Sequence, residues 1–155
     1  MGWELEDVEK PFVTQLIQQG WTHINGCIDE PHKTGRSGFN EVIQETVLRQ
    51  KLIAINQREV NGQLQPWLDD ARLSEAVAAI TRIGTSKLME ANQAASHLLQ
   101  LGLTVEGLAG WDGGRGQTIR YIDWDIPENN DFTVINQYRI DCLAGYNSGK
   151  AFIIP

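Results

Sequence analysis

A short stretch of the chain carries four carboxylates, at Asp123, Asp125, Glu128 and Asp131. Alternate residues of a strand share a face, so Asp123 and Asp125 would lie together. Oxygen ligands grouped in this way bind Mg²⁺ or Ca²⁺. The alternative is a solvated polar face followed by a turn. The sequence favours the turn, because no glycine-bearing calcium loop follows the carboxylates.

Three further side chains, His23, Cys27 and His32, could supply metal ligands near one loop. Structural zinc sites show four ligands, usually as pairs at short intervals, and no fourth ligand stands at such a spacing here. His97 precedes two leucines and is interpreted as an ordinary helix residue. No Ser/His/Asp set can be assembled from spacing alone.

Two glycine-bearing segments invite comparison with nucleotide-binding loops. Residues 145–151 have one residue too few between the glycines for a P-loop, and Ala151 replaces the Ser or Thr that would hold magnesium. We interpret this segment as a surface turn. Residues 112–116 lack the GxGxxG spacing and are predicted to be a turn between two strands.

Glu9 lies in the first turn of the first predicted helix. A carboxylate there interacts favourably with the helix dipole. From the residues alone, that interaction is a sufficient explanation of Glu9.

Apolar residues recur at helical spacing in four segments, which predicts four amphipathic helices. The first is expected to begin near Glu6 and Asp7, with Asp7 as its cap, and the second to be capped by Asn40 or Ser37. The expected helices span residues 6–20, 39–56, 68–83 and 85–102. The expected strands span residues 21–24, 103–108, 118–124, 132–139 and 151–154, and an exposed loop spans residues 27–38.

Helices followed by strands predict an α/β fold with α+β layering, in which helices precede a mixed sheet. The chain has 155 residues, 41% of them hydrophobic and 21% charged. This composition is typical of a folded globular protein, and the length fits a single domain over residues 1–155.

The charge balance argues against a stand-alone nucleic-acid-binding domain. Thirteen Lys and Arg face twenty Asp and Glu, for a net charge of −7. Binding to phosphates depends on Lys and Arg. Cys27 and Cys142 are predicted to be reduced thiols, since two cysteines make no disulfide framework. The acidic first residues lack the basic region of a signal peptide, and no segment approaches a membrane span. We therefore expect a cytoplasmic protein with no membrane contact.

Four stretches, in this order along the chain, resemble the N-terminal region of the R (restriction and motor) subunit of type I restriction-modification enzymes. The first is Val-Glu-Lys-Pro-Phe at residues 8–12, followed by Leu16 and Gly20-Trp21. The second and third are residues 42–56 and 89–102. The most specific is residues 122–137, with Ile-Asp-Trp-Asp, Pro-Glu-Asn-Asn-Asp-Phe and Asn-Gln.

The resemblance implies a restriction-endonuclease-like nuclease of the PD…(D/E)xK type, in which two acidic groups and a lysine hold Mg²⁺ and position the attacking water. It also implies an ATP-driven motor in the same protein, with DNA and the specificity and methylation subunits as partners. One residue is carried over. Glu9 resembles the acidic residue that first helices of these nucleases bring to the metal, which makes it the candidate catalytic residue and metal ligand.

In the family, a proline precedes the catalytic Asp, and Glu-x-Lys follows on the next strand. Residues 153–155, Ile-Ile-Pro, reach the position of that proline. We therefore expect a chain truncated before the catalytic strand pair, inactive alone and binding neither Mg²⁺ nor ATP. Two alternatives remain: a non-catalytic subunit-docking domain of the same fold, and a metal-binding domain that uses Asp123 and Asp125.

Overall fold

The computed structural model describes residues 5–27, 29–84 and 87–141. The α-helices in these ranges are α1 (Lys10–Gln18), α2 (Glu45–Ile55), α3 (Asp70–Thr81) and α4 (Leu88–Leu101). The strands are β1 (Thr22–Asn25), β2 (Gln57–Val60), β3 (Gln63–Pro66), β4 (Leu103–Glu106), β5 (Gly116–Ile119) and β6 (Thr133–Asn136). Short helical turns occupy Leu5–Glu9, Pro31–Thr34, Asp112–Gly114 and Pro127–Asn129.

The first helix is preceded by a π-helical turn, Leu5–Glu9, so the prediction that Asp7 caps the helix is wrong. The backbone is already helical at Glu9, and the Glu9 side chain makes no capping bond. Pro11 lies at one of the first two positions of α1, where proline is common because its fixed φ suits a helix. The helix ends as predicted before Gly20, whose φ of +91° suits glycine.

The second helix begins at Glu45, six residues later than the predicted Phe39. Tertiary contacts hold the residues before it instead. The buried Arg36 guanidinium donates to the carbonyl oxygens of Glu41 (3.0 Å) and Arg139 (2.9 Å). It also lies 3.6 Å from the centre of the Tyr138 ring. The periodicity of the sequence favours a helix over residues 39–44, whereas these tertiary contacts favour a non-helical conformation. The tertiary contacts determine the structure of this segment.

The third and fourth helices lie within the segments predicted to be helical, so both predictions are confirmed. The Asp69 side chain accepts the backbone N–H of Arg72 at 2.9 Å and caps α3. The α4 helix ends at Leu101, and Gly102 follows with a φ of +79°.

The described strands form three two-stranded sheets. Strands β1 and β6 are parallel, with Thr22 opposite Thr133. The β2–β3 and β4–β5 pairs are antiparallel. The α/β class is confirmed by the helices and by small sheets with both parallel and antiparallel pairs, and β1 lies between α1 and α2 where a strand was predicted. The restriction-endonuclease-like architecture stays a prediction, and the strand predicted at 151–154 lies outside the described residues.

The β2–β3 hairpin is absent from the sequence-based prediction. Its turn is Asn61-Gly62, with φ of 53° and 77°. Positive φ at both central residues is typical of a type I′ turn, and Asn-Gly is its preferred sequence. The predicted glycine-rich turn at residues 112–116 is confirmed, since it lies between the antiparallel strands β4 and β5.

The chain divides into two compact units. Unit 1 takes residues from Met1–Gln44 and Asp131–Pro155, and unit 2 is Glu45–Asn130. The prediction of a single domain stays a prediction. No helix in the described ranges is long and apolar enough to cross a membrane.

Unit 2 holds an apolar core to which α2, α3 and the β4–β5 hairpin contribute. Its fully buried side chains include Leu52 and Ile119. The Asn56 side chain joins α2 to the end of β5, because its Nδ2 donates to the Arg120 carbonyl and its Oδ1 accepts the Arg120 N–H, both at 2.8 Å. The Tyr121 hydroxyl donates to the Ala76 carbonyl at 2.6 Å, and burial raises the pKa of Tyr121 to about 12.

Candidate functional site

Glu9, the candidate carboxylate, lies in unit 1 and contacts the end of β6. Its Oε1 accepts a hydrogen bond from Asn136 Nδ2, and its Oε2 accepts one from Gln137 Nε2, both at 2.8 Å. Each oxygen of the carboxylate therefore has its own amide donor. The carboxylate makes a tertiary contact across the chain, which the dipole explanation alone does not predict.

The two amides reach one carboxylate because the backbone changes conformation where β6 ends. Successive residues of a regular strand point to opposite faces. Gln137 instead has a φ of 53°, which is uncommon for a residue other than glycine. A non-glycine residue in this region stores about 1–3 kcal/mol of strain, and such strain is often found at functional sites.

The backbone of β1 approaches the Asn136 carbonyl closely enough to require glycine. The Gly26 N–H donates to the Asn136 oxygen at 3.0 Å. A Cβ at Gly26 would lie 2.2 Å from that oxygen and 2.8 Å from the Gln137 oxygen. Glycine at this position therefore permits the strand pairing that places both amides.

His23 on β1 extends the hydrogen bonding beyond Asn136. Its Nε2 lies 3.0 Å from Asn136 Oδ1. A polar chain thus runs from His23 through Asn136 to Glu9. The residues come from β1, β6 and the turn before α1, and the parallel pairing of His23 with Val134 sets their register.

A groove of about 570 Å³ opens beside these groups. Lys10 and Thr14 of α1 contribute to its wall, as do His23 and Asn25 of β1. Lys10 also forms an ion pair with Glu6 one turn back. The groove combines one carboxylate with amide, hydroxyl, ammonium and imidazole groups, beside the apolar side chains of Val13 and Ile17.

The possible His23, Cys27 and His32 metal site is not formed. His32 Nε2 lies 3.7 Å from a Glu30 carboxylate oxygen, while His23 faces Asn136. Within residues 5–27, 29–84 and 87–141, no three His, Cys, Asp or Glu side chains are grouped as metal ligands. Cys142 and residues 145–151 lie outside the described residues.

Asp123 and Asp125 do not share a strand face, because β5 ends at Ile119 and the chain then turns. Asp123 is 6% exposed and accepts the backbone N–H groups of Asp125 (3.2 Å) and Ile126 (3.1 Å). Its other oxygen accepts Asn129 Nδ2 at 2.8 Å. The Asn129 bond, then those backbone amides and Arg120, hold the pKa of Asp123 below its ordinary value.

Asp125 and Asn130 are the next polar side chains of this stretch. Asp125 is exposed and pairs with Arg120 at 2.5 Å. Asn130 closes the turn, since its Oδ1 accepts the Asp123 N–H and its Nδ2 donates to the Asp123 carbonyl. Residues 123–130 are therefore a turn built on Asp123, which is the turn interpretation that the sequence favoured over a metal site.

Asn136 and Gln137 belong to the candidate site, and reasoning from the residues did not single them out. They appeared only as part of the stretch that resembles a family. An Asn or a Gln by itself does not indicate a catalytic or binding site. Their partner Glu9 is 127 positions from Asn136 and 128 positions from Gln137. An adjacent pair of amides at the end of a strand is the one local signal that the sequence offers.

A comparison with protein families identifies the family of the chain. The model of the type I restriction enzyme R protein N terminus matches residues 5–151. No curated protein and no solved structure is significantly similar to the chain. The match contains both Glu9 and its amide partners, and it covers nearly the whole of the 155-residue chain. The chain therefore belongs to the family of type I restriction enzyme R protein N termini.

Proposed function

We propose that this chain is part of an R subunit that cleaves unmodified foreign DNA, using magnesium for cleavage and ATP for translocation. The observation that carries the proposal is the family match over residues 5–151. The groove beside Glu9 supports it, because it gathers a carboxylate and polar groups in one place. The partners of the parent protein are DNA and the specificity and methylation subunits, and its compartment is the cytoplasm.

Glu9 is proposed as the catalytic and metal-binding residue of this region. A carboxylate has about four lone-pair sites. The two amide bonds use two of them, so Glu9 can still offer an oxygen to Mg²⁺. Magnesium would activate water and stabilise charge on the phosphodiester.

The fit to Mg²⁺ is incomplete among the described residues, since they form no group of three or more His, Cys, Asp or Glu side chains around Glu9. Glu9 thus accounts for one ligand position of a site whose other ligands lie elsewhere. We therefore propose that the described residues orient the carboxylate and do not complete the cleavage machinery.

Cleavage by the assembled restriction complex tests this role. Glu9→Gln in the R subunit should lower the rate of DNA cleavage by about 100-fold or more, since even outer partners of a metal typically contribute 10–100-fold. ATP hydrolysis should remain, because the motor is separate. Glu6→Gln is the matched control, as it removes a carboxylate from the same turn. Full cleavage by the Glu9→Gln complex would contradict the role of Glu9.

The 155-residue chain alone should not nick supercoiled DNA in the presence of magnesium. One carboxylate does not hold the metal and position the water together. Gel electrophoresis of plasmid incubated with the chain and Mg²⁺ measures this directly. Magnesium-dependent nicking that disappears in Glu9→Ala would show that the chain forms a complete site.

A second candidate function is that of a non-catalytic docking domain for the other subunits. Exposed apolar side chains of α4 favour it, as Leu88, Met89 and Leu101 are 74%, 72% and 62% exposed. Aspartate substitutions at these positions should then weaken co-purification with the specificity and methylation subunits. Normal assembly of those variants would argue against docking through α4.

A further inference from the structure

The charge on Glu9 determines which way the neighbouring amides point. An ionised carboxylate only accepts hydrogen bonds. Both groups that face it, 2.8 Å from its oxygens, must therefore be NH₂ groups. Asn136 consequently turns its Oδ1 away from Glu9, and that oxygen lies 3.0 Å from His23 Nε2.

The orientation of Asn136 in turn determines the protonation of the His23 ring. Since Asn136 Oδ1 accepts, the imidazole nitrogen that faces it must carry a hydrogen. A neutral imidazole has one N–H, so its other nitrogen, Nδ1, is the acceptor. The hydrogen bonds then run in one direction, from His23 through Asn136 to Glu9.

We propose that His23 and Asn136 are positioning residues for the Glu9 carboxylate, and that Glu9 fixes His23 as its Nε2–H tautomer. Gln137 holds the second carboxylate oxygen from the other side. Such an arrangement keeps the carboxylate in one orientation before any ligand arrives, as preorganised sites require. The relevance to cleavage rests on the proposed function, whereas the hydrogen-bond direction does not.

The tautomer can be read from long-range ¹H–¹⁵N NMR spectra of the histidine rings, recorded at about pH 8. We expect His23 in the Nε2–H form alone. His97 is the internal reference, since the described part of the chain shows no hydrogen bond to its ring. A mixture of tautomers or the Nδ1–H form at His23 in the wild-type chain would overturn the proposal.

Two pairs of variants test the cause. Glu9→Ala and Asn136→Ala should each turn His23 into a mixture of tautomers. Glu6→Ala removes a charge from the same turn, and Asn25→Ala an amide from the same groove, and both should leave the Nε2–H form. If Glu9→Ala does not fold, which an NMR spectrum without dispersion would show, the tautomer of His23 in Asn136→Ala tests the proposal instead. A pure Nε2–H form in folded Asn136→Ala would refute the chain of bonds.

The link to cleavage is tested at His23 in the assembled complex. A leucine there cannot donate to Asn136 Oδ1, while a glutamine side chain can. His23→Leu should lower the cleavage rate and His23→Gln should restore most of it. Equal loss in both variants would deny a positioning role. If Glu9→Gln leaves cleavage intact while the tautomer is as expected, the proposed function fails and the hydrogen-bond chain stands.

Discussion

The carboxylates of Asp123 and Glu9 have different structural roles, because their hydrogen-bond donors lie at different distances along the sequence. Asp123 accepts N–H groups of residues just ahead of it, which makes it the anchor of a local turn. Glu9 accepts amide groups that are more than a hundred positions away, which makes it a tertiary contact. Only the first kind of bond is visible in a local sequence pattern.

Asp123→Asn should lower the free energy of unfolding near pH 7 by about 1–3 kcal/mol, because an amide cannot accept on both sides. The stabilisation from a lowered carboxyl pKa is complete above the ordinary value of 3.8 and is lost as the pH falls through the lowered one. Wild type should therefore lose more stability than Asp123→Asn between about pH 7 and pH 2. Urea denaturation at both pH values measures the difference.

Asp125→Asn is the matched control for that experiment. The Asp125 side chain is 71% exposed and pairs with Arg120. An exposed ion pair contributes about 0–1 kcal/mol. A loss as large as that of Asp123→Asn would mean that charge in this stretch, and not the turn, stabilises the fold.

The chemistry at Glu9 was predicted from a resemblance, and its surroundings were not. Reasoning from the residues gave an acidic side chain near a helix start, which is correct but has an ordinary explanation. The bonds to Asn136 and Gln137 depend on the pairing of β1 with β6. No spacing rule connects strands so far apart in sequence, so the amide partners became visible only in three dimensions.

Among the elements, helices were predicted best because their signal is local. The α3 helix has its apolar period and its Asp69 cap within one short segment. Errors occurred where side-chain hydrogen bonds override the periodicity of the sequence. The contacts of Arg36 keep the residues before α2 out of a helix. The hydrogen bonds of Asp123 make residues 123–130 a turn and not part of a strand. The Asn61-Gly62 hairpin was predictable from its turn sequence, but no strands were predicted on either side of it.

Gly62→Ala should lower stability by about 1 kcal/mol or more, because alanine is strained at a φ of +77°. No atom lies within 4 Å of the added Cβ, so the loss would be conformational and not steric. Gly110→Ala is the control, since its Cβ also meets open space and its φ is outside the strained region. Thermal unfolding compares them, and equal effects would contradict the turn assignment.

Gly26→Ala should be more damaging, for a steric reason. The added Cβ would lie 2.2 Å from the Asn136 oxygen, so β1 and β6 must separate. We expect a loss of about 1–3 kcal/mol, typical of overpacking. The side-chain amide signals of Asn136 and Gln137 should shift in NMR spectra, while Gly110→Ala leaves them in place. Unshifted amide signals in Gly26→Ala would contradict the close approach.

For the molecule as a whole, the apolar core is distributed unequally. The large buried cluster belongs entirely to unit 2. Among the described residues of unit 1, Val13 is the one buried apolar side chain, and Thr34 and Arg36 are buried with it. Unit 1 therefore depends more on directed polar contacts than unit 2 does.

Residues 45–130 should consequently fold alone as an excised segment. They are continuous in sequence and contain the complete core cluster. We expect cooperative thermal unfolding by circular dichroism. Leu52→Ala should lower the stability of the segment by about 2–5 kcal/mol, as for other buried leucines. An excised segment without a cooperative transition would show that its core needs the rest of the chain.

The bond between Glu9 and Asn136 also has a consequence for the order of events during synthesis. Glu9 leaves the ribosome before its partner, which follows 127 residues later. The whole of unit 2 is made in between, and its contacts close shorter loops, which cost less chain entropy. The contacts of the candidate site therefore form after those of unit 2, so a subunit synthesised only as far as unit 2 carries its carboxylate without the groups that orient it.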